Sequence, residues 1–294
     1  MKTKLFLISG AVLMLFFVFC CKSEKEDAKE EQQSEDLVEI KDTISDIIYV
    51  LPSPNEILAE IFIEDIKIDP TLVNSYTNAN QYIENRSKAI NLGVYIADFA
   101  YLSYSPESTT ELNYLKVIKK LTEEVNIYGL MENKTLERIQ DNLTEKDSLN
   151  KISQELYYKI SNNLENSDRE NLFTLISSGA IIESLYLSVM LVDDFNDYKG
   201  IIEKMYEQKF VFDNFYEYAS VYADDPYVKQ IMDKLEILKQ TFDQLNTKET
   251  EHEVIEKDDQ TLRFTGGSQF IVNSENFKKF KTDIISIRND IITP

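Results

Sequence analysis

The stretch Leu172–Leu191 reads LFTLISSGAIIESLYLSVML and carries a single charged residue, Glu183. An earlier stretch, Ala89–Tyr104, reads AINLGVYIADFAYLSY, and its only charged residue is Asp98. A helix that is apolar on every side is either buried in a protein core or inserted in a membrane. The later stretch is long enough to span a bilayer. However, its threonine, four serines and central carboxylate favour a buried core helix.

The two apolar stretches and the segments that follow them are similar to each other. DFAYLS begins at Asp98, and ESLYLS begins 85 residues later at Glu183. YLKVIKKLTEE begins at Tyr114, and YKGIIEKMYEQ begins 84 residues later at Tyr198. Two matches at nearly the same offset predict an internal duplication. The alternative is a chance similarity between amphipathic helices.

The composition predicts a mainly α-helical fold. Only 7 of the 294 residues are glycine and 6 are proline, which favours long helices over a many-stranded β fold. Repeat halves at about residues 76–164 and 168–247 would form a compact bundle with pseudo-twofold symmetry. Ser53 and Glu56 form a capping box that begins the first helix. Apolar periodicity predicts further helices at Thr135–Leu143, Ser148–Leu164, Asp213–Tyr222 and Pro226–Leu245.

The C-terminal part differs from the two halves, and its hairpin and last helix are expected at residues 261–292. The run TLRFTGGSQFIVN, Thr261–Asn273, has two β-prone segments around Gly266-Gly267, which predicts a small hairpin. Ser274 is expected to cap the last helix. Its apolar residues form one seam that either closes the body or makes a dimer contact: Phe277, Phe280, Ile284, Ile287 and Ile291.

The N-terminus predicts export and lipid anchoring. Lys2 and Lys4 precede the apolar run Leu5–Phe19, the pattern of a secretory signal, and the run is short for a membrane span. Val18-Phe19-Cys20-Cys21 resembles the lipobox of bacterial lipoproteins. That resemblance implies a signal peptide at residues 1–20 and fatty acids such as palmitate on Cys21. An uncleaved anchor and a plain secreted protein are the alternatives.

Residues 21–47 follow as the lipidated cysteine and a disordered acidic tether, and residues 48–294 as a single helical domain. The acidic run resembles the export signal of surface lipoproteins in Bacteroidota; the alternative is an ordinary solvated linker. LPSPNEI, NLGVYIADFAY and GGSQFIVNSENFKKF…IRNDII resemble a group of uncharacterised helical lipoproteins of Bacteroidota. The resemblance implies a helical architecture and anchoring to the bacterial envelope, at the outer membrane, but it implies no activity.

The charge and the motifs exclude several classes of function. A formal net charge of −21 disfavours nucleic acid and electrostatic docking on anionic lipid. The single histidine, His252, lies in an acidic stretch expected to be a loop. The sequence contains no nucleotide-binding loop and no zinc motif, so we expect no cofactor and no metal. DDFNDYKG, Asp193–Gly200, lacks the ligand spacing of a calcium loop and is expected to be an interhelical loop.

Asp98 and Glu183 are the remaining candidates for chemistry. Each is the lone carboxylate of an apolar helix at matching positions of the repeat, and an unpaired buried charge costs several kcal/mol. The pair could hold a cation or perform acid–base work. Alternatively, each carboxylate bonds the backbone, an arginine or tyrosine hydroxyls, and so specifies helix packing. Tyr95, Tyr101 and Tyr186 lie on the same helices.

The run NFYEYASVYADDPY, Asn214–Tyr227, contains four tyrosines that form a candidate recognition surface: Tyr216, Tyr218, Tyr222 and Tyr227. Core packing is the alternative for these rings. The leading functional hypothesis is a non-enzymatic lipoprotein of the cell envelope whose helical body binds or scaffolds an envelope protein or a small ligand. The alternative is a metal-binding protein or enzyme that uses Asp98 and Glu183. A tetratricopeptide-like peptide binder is disfavoured because two repeats hardly make a groove.

Overall fold

Two long helices cross at the centre of the molecule, and the other elements pack around them. The computed structural model describes residues 49, 51–62, 67–104, 110–129, 145–256 and 262–294, except for the side chains of 250–256 and 262–267. Residues 48–294 belong to one compact unit. The predicted signal peptide, Cys21, the tether and the helix Thr135–Leu143 all lie outside the described residues.

The described part is mainly α-helical, as predicted, with one small hairpin. The helices are α1 (Pro54–Ile61), α2 (Asn85–Leu102), α3 (Glu111–Glu124), α4 (Lys146–Glu165), α5 (Glu170–Met190), α6 (Lys199–Glu207), α7 (Lys209–Val221), α8 (Pro226–Asp243) and α9 (Ser274–Ile292). A 3₁₀ helix spans Tyr76–Asn80, and the strands are β1 (Thr247–Glu256) and β2 (Leu262–Phe270). Helix predictions from apolar periodicity agree with these bounds to within a few residues wherever the chain is described.

Glycines allow the backbones of α2 and α5 to touch where they cross. A Cβ atom added to Gly93 would lie 1.8 Å from the carbonyl oxygen of Ile176, and one added to Gly179 would lie 1.9 Å from that of Ile90. The two contacts mirror each other, because each glycine meets the residue three positions before the other glycine. The crossing therefore has a local pseudo-twofold relation at an offset of 86 residues. The offset between Asp98 and Glu183 is one residue shorter.

Helix α5 is a core helix, as its polar residues predicted. It is the one helix of the described part that is long and apolar enough to cross a membrane, and 94% of its apolar window is buried inside the protein. Among its buried residues are three serines whose hydroxyls donate to the carbonyl oxygen four residues earlier. These hydrogen bonds satisfy the hydroxyls inside the helix itself, which allows serine to occupy a water-free core.

The capping box of the first helix is present as predicted. The backbone N–H of Glu56 donates to the Ser53 hydroxyl at 3.4 Å, and the backbone N–H of Ser53 donates to the Glu56 carboxylate at 2.7 Å. The cap of the last helix was predicted one residue too late. Asn273, rather than Ser274, accepts the backbone N–H of Asn276 at 2.9 Å.

The hairpin forms, but its predicted position was wrong. β1 pairs with β2 in antiparallel register from Thr247 opposite Phe270 to Glu256 opposite Leu262. Gly266 and Gly267 therefore lie inside β2 rather than in the turn, next to a register irregularity at Thr250 to Glu253 of the partner strand. Glycine inside a strand marks a bulge, and the sequence pattern was taken for a turn instead. His252 accordingly lies in β1 and not in a loop.

Helix α9 closes the bundle by packing on α5 and α8. All five residues of its predicted apolar seam are buried: Phe277, Phe280, Ile284, Ile287 and Ile291. Burial of the whole seam within one chain removes the apolar face that a dimer contact through it would need. The seam therefore serves the closure of the body.

Candidate functional site

The α2–α5 crossing brings the two predicted carboxylates together. Asp98 on α2 and Glu183 on α5 are both fully buried, and the charge of Glu183 is near enough to raise the pKa of Asp98. The two carboxylates therefore lie in one buried region of the crossing. What the pair can do depends on the groups that surround it.

Arg288 from the closing helix α9 is the partner that the sequence analysis did not identify. Its Nε donates to Glu183 Oε2 at 2.9 Å, and its Nη2 donates to Glu183 Oε1 at 2.9 Å. This two-pronged bond is the strongest geometry of an arginine–carboxylate pair. The Arg288 guanidinium also lies 4.2 Å from the centre of the Tyr186 ring. Burial acts to lower the pKa of Arg288, but the hydrogen bonds and charge of Glu183 raise that pKa overall.

The pKa of Asp98 is strongly affected by its surroundings in the cluster. Burial raises the pKa of Asp98 well above its usual range, and the neighbouring charge of Glu183 raises it further, against the opposing effect of Arg288. The Asp98 Oδ1 atom receives no donor from the described residues. The raised pKa favours the protonated form of Asp98 beside the Arg288–Glu183 pair.

A segment between α1 and α2 covers this cluster through Asn74. The backbone N–H of Asn74 donates to Asp98 Oδ2 at 3.2 Å, and its side-chain amide donates to the Tyr82 hydroxyl at 3.0 Å. The Tyr114 hydroxyl donates to the Asn74 carbonyl oxygen at 2.9 Å. The Tyr82 hydroxyl in turn donates to the carbonyl oxygen of Ile292 at 2.9 Å. One buried network thus links α2, α3, α9 and the covering segment.

The three tyrosines expected near the carboxylates hold their surroundings in place. The Tyr95 hydroxyl donates to the carbonyl oxygen of Ser75 at 2.9 Å. The Tyr101 hydroxyl accepts the backbone N–H of Asp69 at 3.1 Å, and burial raises the pKa of Tyr101 to about 12. Tyr186 supplies a ring face to Arg288 instead of a hydroxyl to a carboxylate. The backbone and arginine partners were therefore predicted correctly, while the hydroxyls serve the covering segment.

The chemistry open to the cluster is limited by its closure. Asp98, Glu183 and Arg288 are buried, and none of them lines three cavities that described residues form. Among all residues that the structure describes, no three His, Cys, Asp or Glu side chains are grouped so that they could hold a metal ion. Arg288 also occupies the place beside Glu183 where a bound cation would neutralise it. The buried cluster joins three helices, α2, α5 and α9.

An open cleft lies elsewhere, where the N-terminal ends of α2 and α8 meet the C-terminal end of α9. This helix-end cleft has a volume of about 450 Å³. Its lining includes Tyr82, Ile83, Arg86, Tyr227, Lys234 and Asp290. Tyr82 belongs both to this lining and to the buried network, so the cleft and the carboxylate cluster share a wall.

The four candidate recognition tyrosines do not form one surface. Tyr218 is buried, and its ring packs edge-on against Tyr49 and Phe173. The Tyr216 hydroxyl donates to Glu236 on α8 at 2.6 Å. Tyr222 is half-buried against Tyr218. Only Tyr227 of the four reaches the helix-end cleft, so helical periodicity correctly favoured core packing for Tyr218 and missed the cleft.

The loop between α5 and α6 contains a turn formed by an aspartate. Asp193–Gly200 spans this loop and the start of α6, as predicted. Within it, the backbone N–H of Asn196 donates to Asp194 Oδ1 at 2.8 Å, which gives that carboxylate a turn-forming role.

The sequence contains signals that could have identified Arg288 and the two glycines of the crossing. Arg288 falls four positions after Ile284, so it is a charged residue on the apolar seam of α9. Gly93 and Gly179 are two of only 7 glycines, and both lie inside apolar helices where glycine costs about 1 kcal/mol relative to alanine. Asn74 had no such sign, because its role depends entirely on where the covering segment folds.

In comparisons with known proteins, no family model, no curated protein and no solved structure matches the chain. The function therefore has to be inferred from the residues of this chain and their geometry.

Proposed function

We propose that this protein is a lipid-anchored component of the bacterial envelope whose helical body binds a partner or small ligand without catalysing a reaction. The N-terminal pattern that ends at Cys21 supports the anchor, and the acidic stretch after it gives the body reach from the membrane. The observation that carries the non-catalytic assignment is the two-pronged bond by which Arg288 neutralises Glu183. Glu183 is thereby committed to packing, and Asp98 is buried in the same cluster.

A metal-binding or catalytic role for Asp98 and Glu183 is the second candidate, because the two carboxyl groups do meet. It would require the Arg288 guanidinium to leave Glu183 and the covering segment around Asn74 to open. Thermal unfolding with and without about 1 mM manganese or zinc tests this role, since a ligand that binds only the folded state raises the melting temperature. A rise that disappears in Asp98→Asn would establish the site, and an unchanged melting temperature would remove it.

Replacing Cys21 tests the anchor. Cys21→Ala expressed in a bacterium with a lipoprotein pathway should move the protein from the membrane fraction to the soluble envelope fraction, because the lipid attachment atom is gone. Cys20→Ala is the matched control, since Cys20 is expected to leave with the signal peptide. Immunoblots of separated fractions report both results.

The proposal of an N-terminal lipid anchor is overturned if Cys21→Ala remains in the membrane fraction. Retention at a mass that includes residues 1–20 would indicate an uncleaved anchor instead. Release of the unaltered protein into the soluble fraction would indicate a secreted protein and would also contradict the proposal.

A further inference from the structure

We propose that the helix-end cleft is a binding site for a small zwitterionic ligand with an apolar side chain, that is, an amino acid or an unblocked short peptide. This inference rests on the proposed binding function and names its site and ligand class. Its volume of about 450 Å³ falls within the usual range of small-molecule sites, about 300–1,000 Å³.

The charges of the cleft are balanced, in contrast to those of the chain. The full sequence has a net charge of −21, whereas the cleft lining carries two cations, Arg86 and Lys234, and two anions, Glu84 and Asp290. Such a lining disfavours polyanions and dications alike. It suits a ligand that presents one carboxylate and one ammonium group.

Arg86 is already held in position to meet a carboxylate. Its Nε lies 2.5 Å from the Glu84 carboxylate, its Nη1 donates to Gln230 at 2.5 Å, and its guanidinium lies 5.3 Å from the centre of the Tyr227 ring. These partners come from the residue before α2 and from α8, and they already restrict the Arg86 side chain, so binding a ligand costs less side-chain entropy. Opposite them, Lys234 pairs with Asp290 at 2.7 Å, and Asp290 is exposed enough to accept a ligand ammonium group.

The apolar part of the cleft calls for an apolar ligand group. Ile83 is 86% exposed and Tyr227 is 48% exposed, although both are large apolar side chains at the edge of the cleft. Ile231 and Ile291 are buried and line the same cleft. An apolar ligand group placed against Ile83 and Tyr227 would cover apolar surface that now meets water. Such burial is favourable at about 25 cal/mol per Å².

Calorimetric titration of the full-length protein in detergent tests the site. The probes are isoleucine, the tripeptide Ala-Ile-Ala, and the same tripeptide with its amino end acetylated and its carboxyl end amidated. We expect a free probe to bind the unaltered protein and the blocked tripeptide to bind at least about tenfold more weakly, because hydrogen bonds to charged groups are worth about 1.5–3 kcal/mol. Arg86→Gln should weaken binding of the free probe to the same degree.

Lys229→Gln is the matched control, because Lys229 lies on the exposed face of α8, paired with Asp233 at 3.8 Å. It makes the same charge change outside the cleft lining and should alter affinity by less than about twofold, since exposed pairs contribute little. Binding of isoleucine would support an amino acid as the ligand, and binding of Ala-Ile-Ala alone would support a peptide.

Absence of binding for both free probes at about 5 mM overturns the assignment of the cleft. Equal binding by the blocked tripeptide, or an affinity unchanged in Arg86→Gln, overturns it as well. Each of these results is independent of where Cys21→Ala is found, so failure of the cleft assignment and failure of the anchor can be distinguished.

Discussion

Two arginine–carboxylate pairs of this protein have the same chemistry and different surroundings. Arg288 and Glu183 are 7% and 0% exposed in their side chains, whereas Arg86 and Glu84 are 34% and 61% exposed. The buried pair is bonded through both prongs and lies beside Asp98, whose pKa is raised by burial, where three helices meet. The exposed pair lines an open cleft. Burial therefore turns one pair into a structural joint and leaves the other available to a ligand.

The same substitution in both pairs tests this difference most strongly. Arg288→Met should reduce the free energy of unfolding by about 3–5 kcal/mol, because it leaves Glu183 as an uncompensated buried charge. Arg86→Met should change it by no more than about 1 kcal/mol, because water already screens that pair. Urea unfolding followed by circular dichroism measures both. A loss of similar size in the two variants would contradict the assigned roles.

Glycines at the crossing provide the next largest effect. Gly93→Ala should destabilise the protein by about 3 kcal/mol or more, because the new Cβ would lie 1.8 Å from a backbone oxygen that cannot move aside alone. Gly200→Ala in α6 is the matched control, since nothing lies within 4 Å of its Cβ position. The control should be neutral or gain up to about 1 kcal/mol from helix propensity. Thermal unfolding that shifts equally in both would refute backbone contact at the crossing.

The proton on Asp98 predicts a smaller, pH-dependent effect. Since its pKa is raised on folding, the folded state holds a proton that the unfolded state releases above its ordinary pKa of 3.8. Stability is therefore lost as the pH rises from about 4 towards the folded pKa, by at most about 1.4 kcal/mol per pH unit. The variant Asp98→Asn carries an uncharged side chain of nearly the same shape as protonated aspartic acid. Its stability should therefore not fall as the pH rises.

Urea unfolding at a series of pH values compares the two proteins. As the pH increases, the free energy of unfolding of Asp98→Asn should rise relative to that of the unaltered protein. Below about pH 4 the difference between the two proteins should become constant. A difference that stays constant from pH 4 to 8 would mean that Asp98 is ionised in the folded protein. The cluster would then carry a net negative charge.

Much of the architecture could be predicted from the sequence because it depends on local patterns. Apolar periodicity located α2 and α5 and their burial, and the Ser53–Glu56 capping box set the start of α1. The hairpin position could not be predicted in the same way, since Gly266-Gly267 is compatible with both a turn and a bulge. Which of the two forms depends on the strand that pairs with it.

The candidate site was predicted in part. Asp98 and Glu183 could be identified from the sequence, because each is the lone carboxylate of an apolar helix. An unpaired buried charge is costly, so each was expected to have a partner. Arg288 comes from 105 residues further along the chain than Glu183, and no pattern near either residue relates them. The helix-end cleft assembles from three separate helix ends, and only Tyr227 among its residues had been considered for recognition.

By itself, the sequence determined the helical class, the two buried helices and the need of their carboxylates for partners. These follow from composition, spacing and short motifs, which act over a few residues. The tertiary structure decided that Arg288 pairs with Glu183, that burial raises the pKa of Asp98, and that the open cleft lies at the helix ends. Those outcomes depend on which distant segments meet and on how much water is left between them.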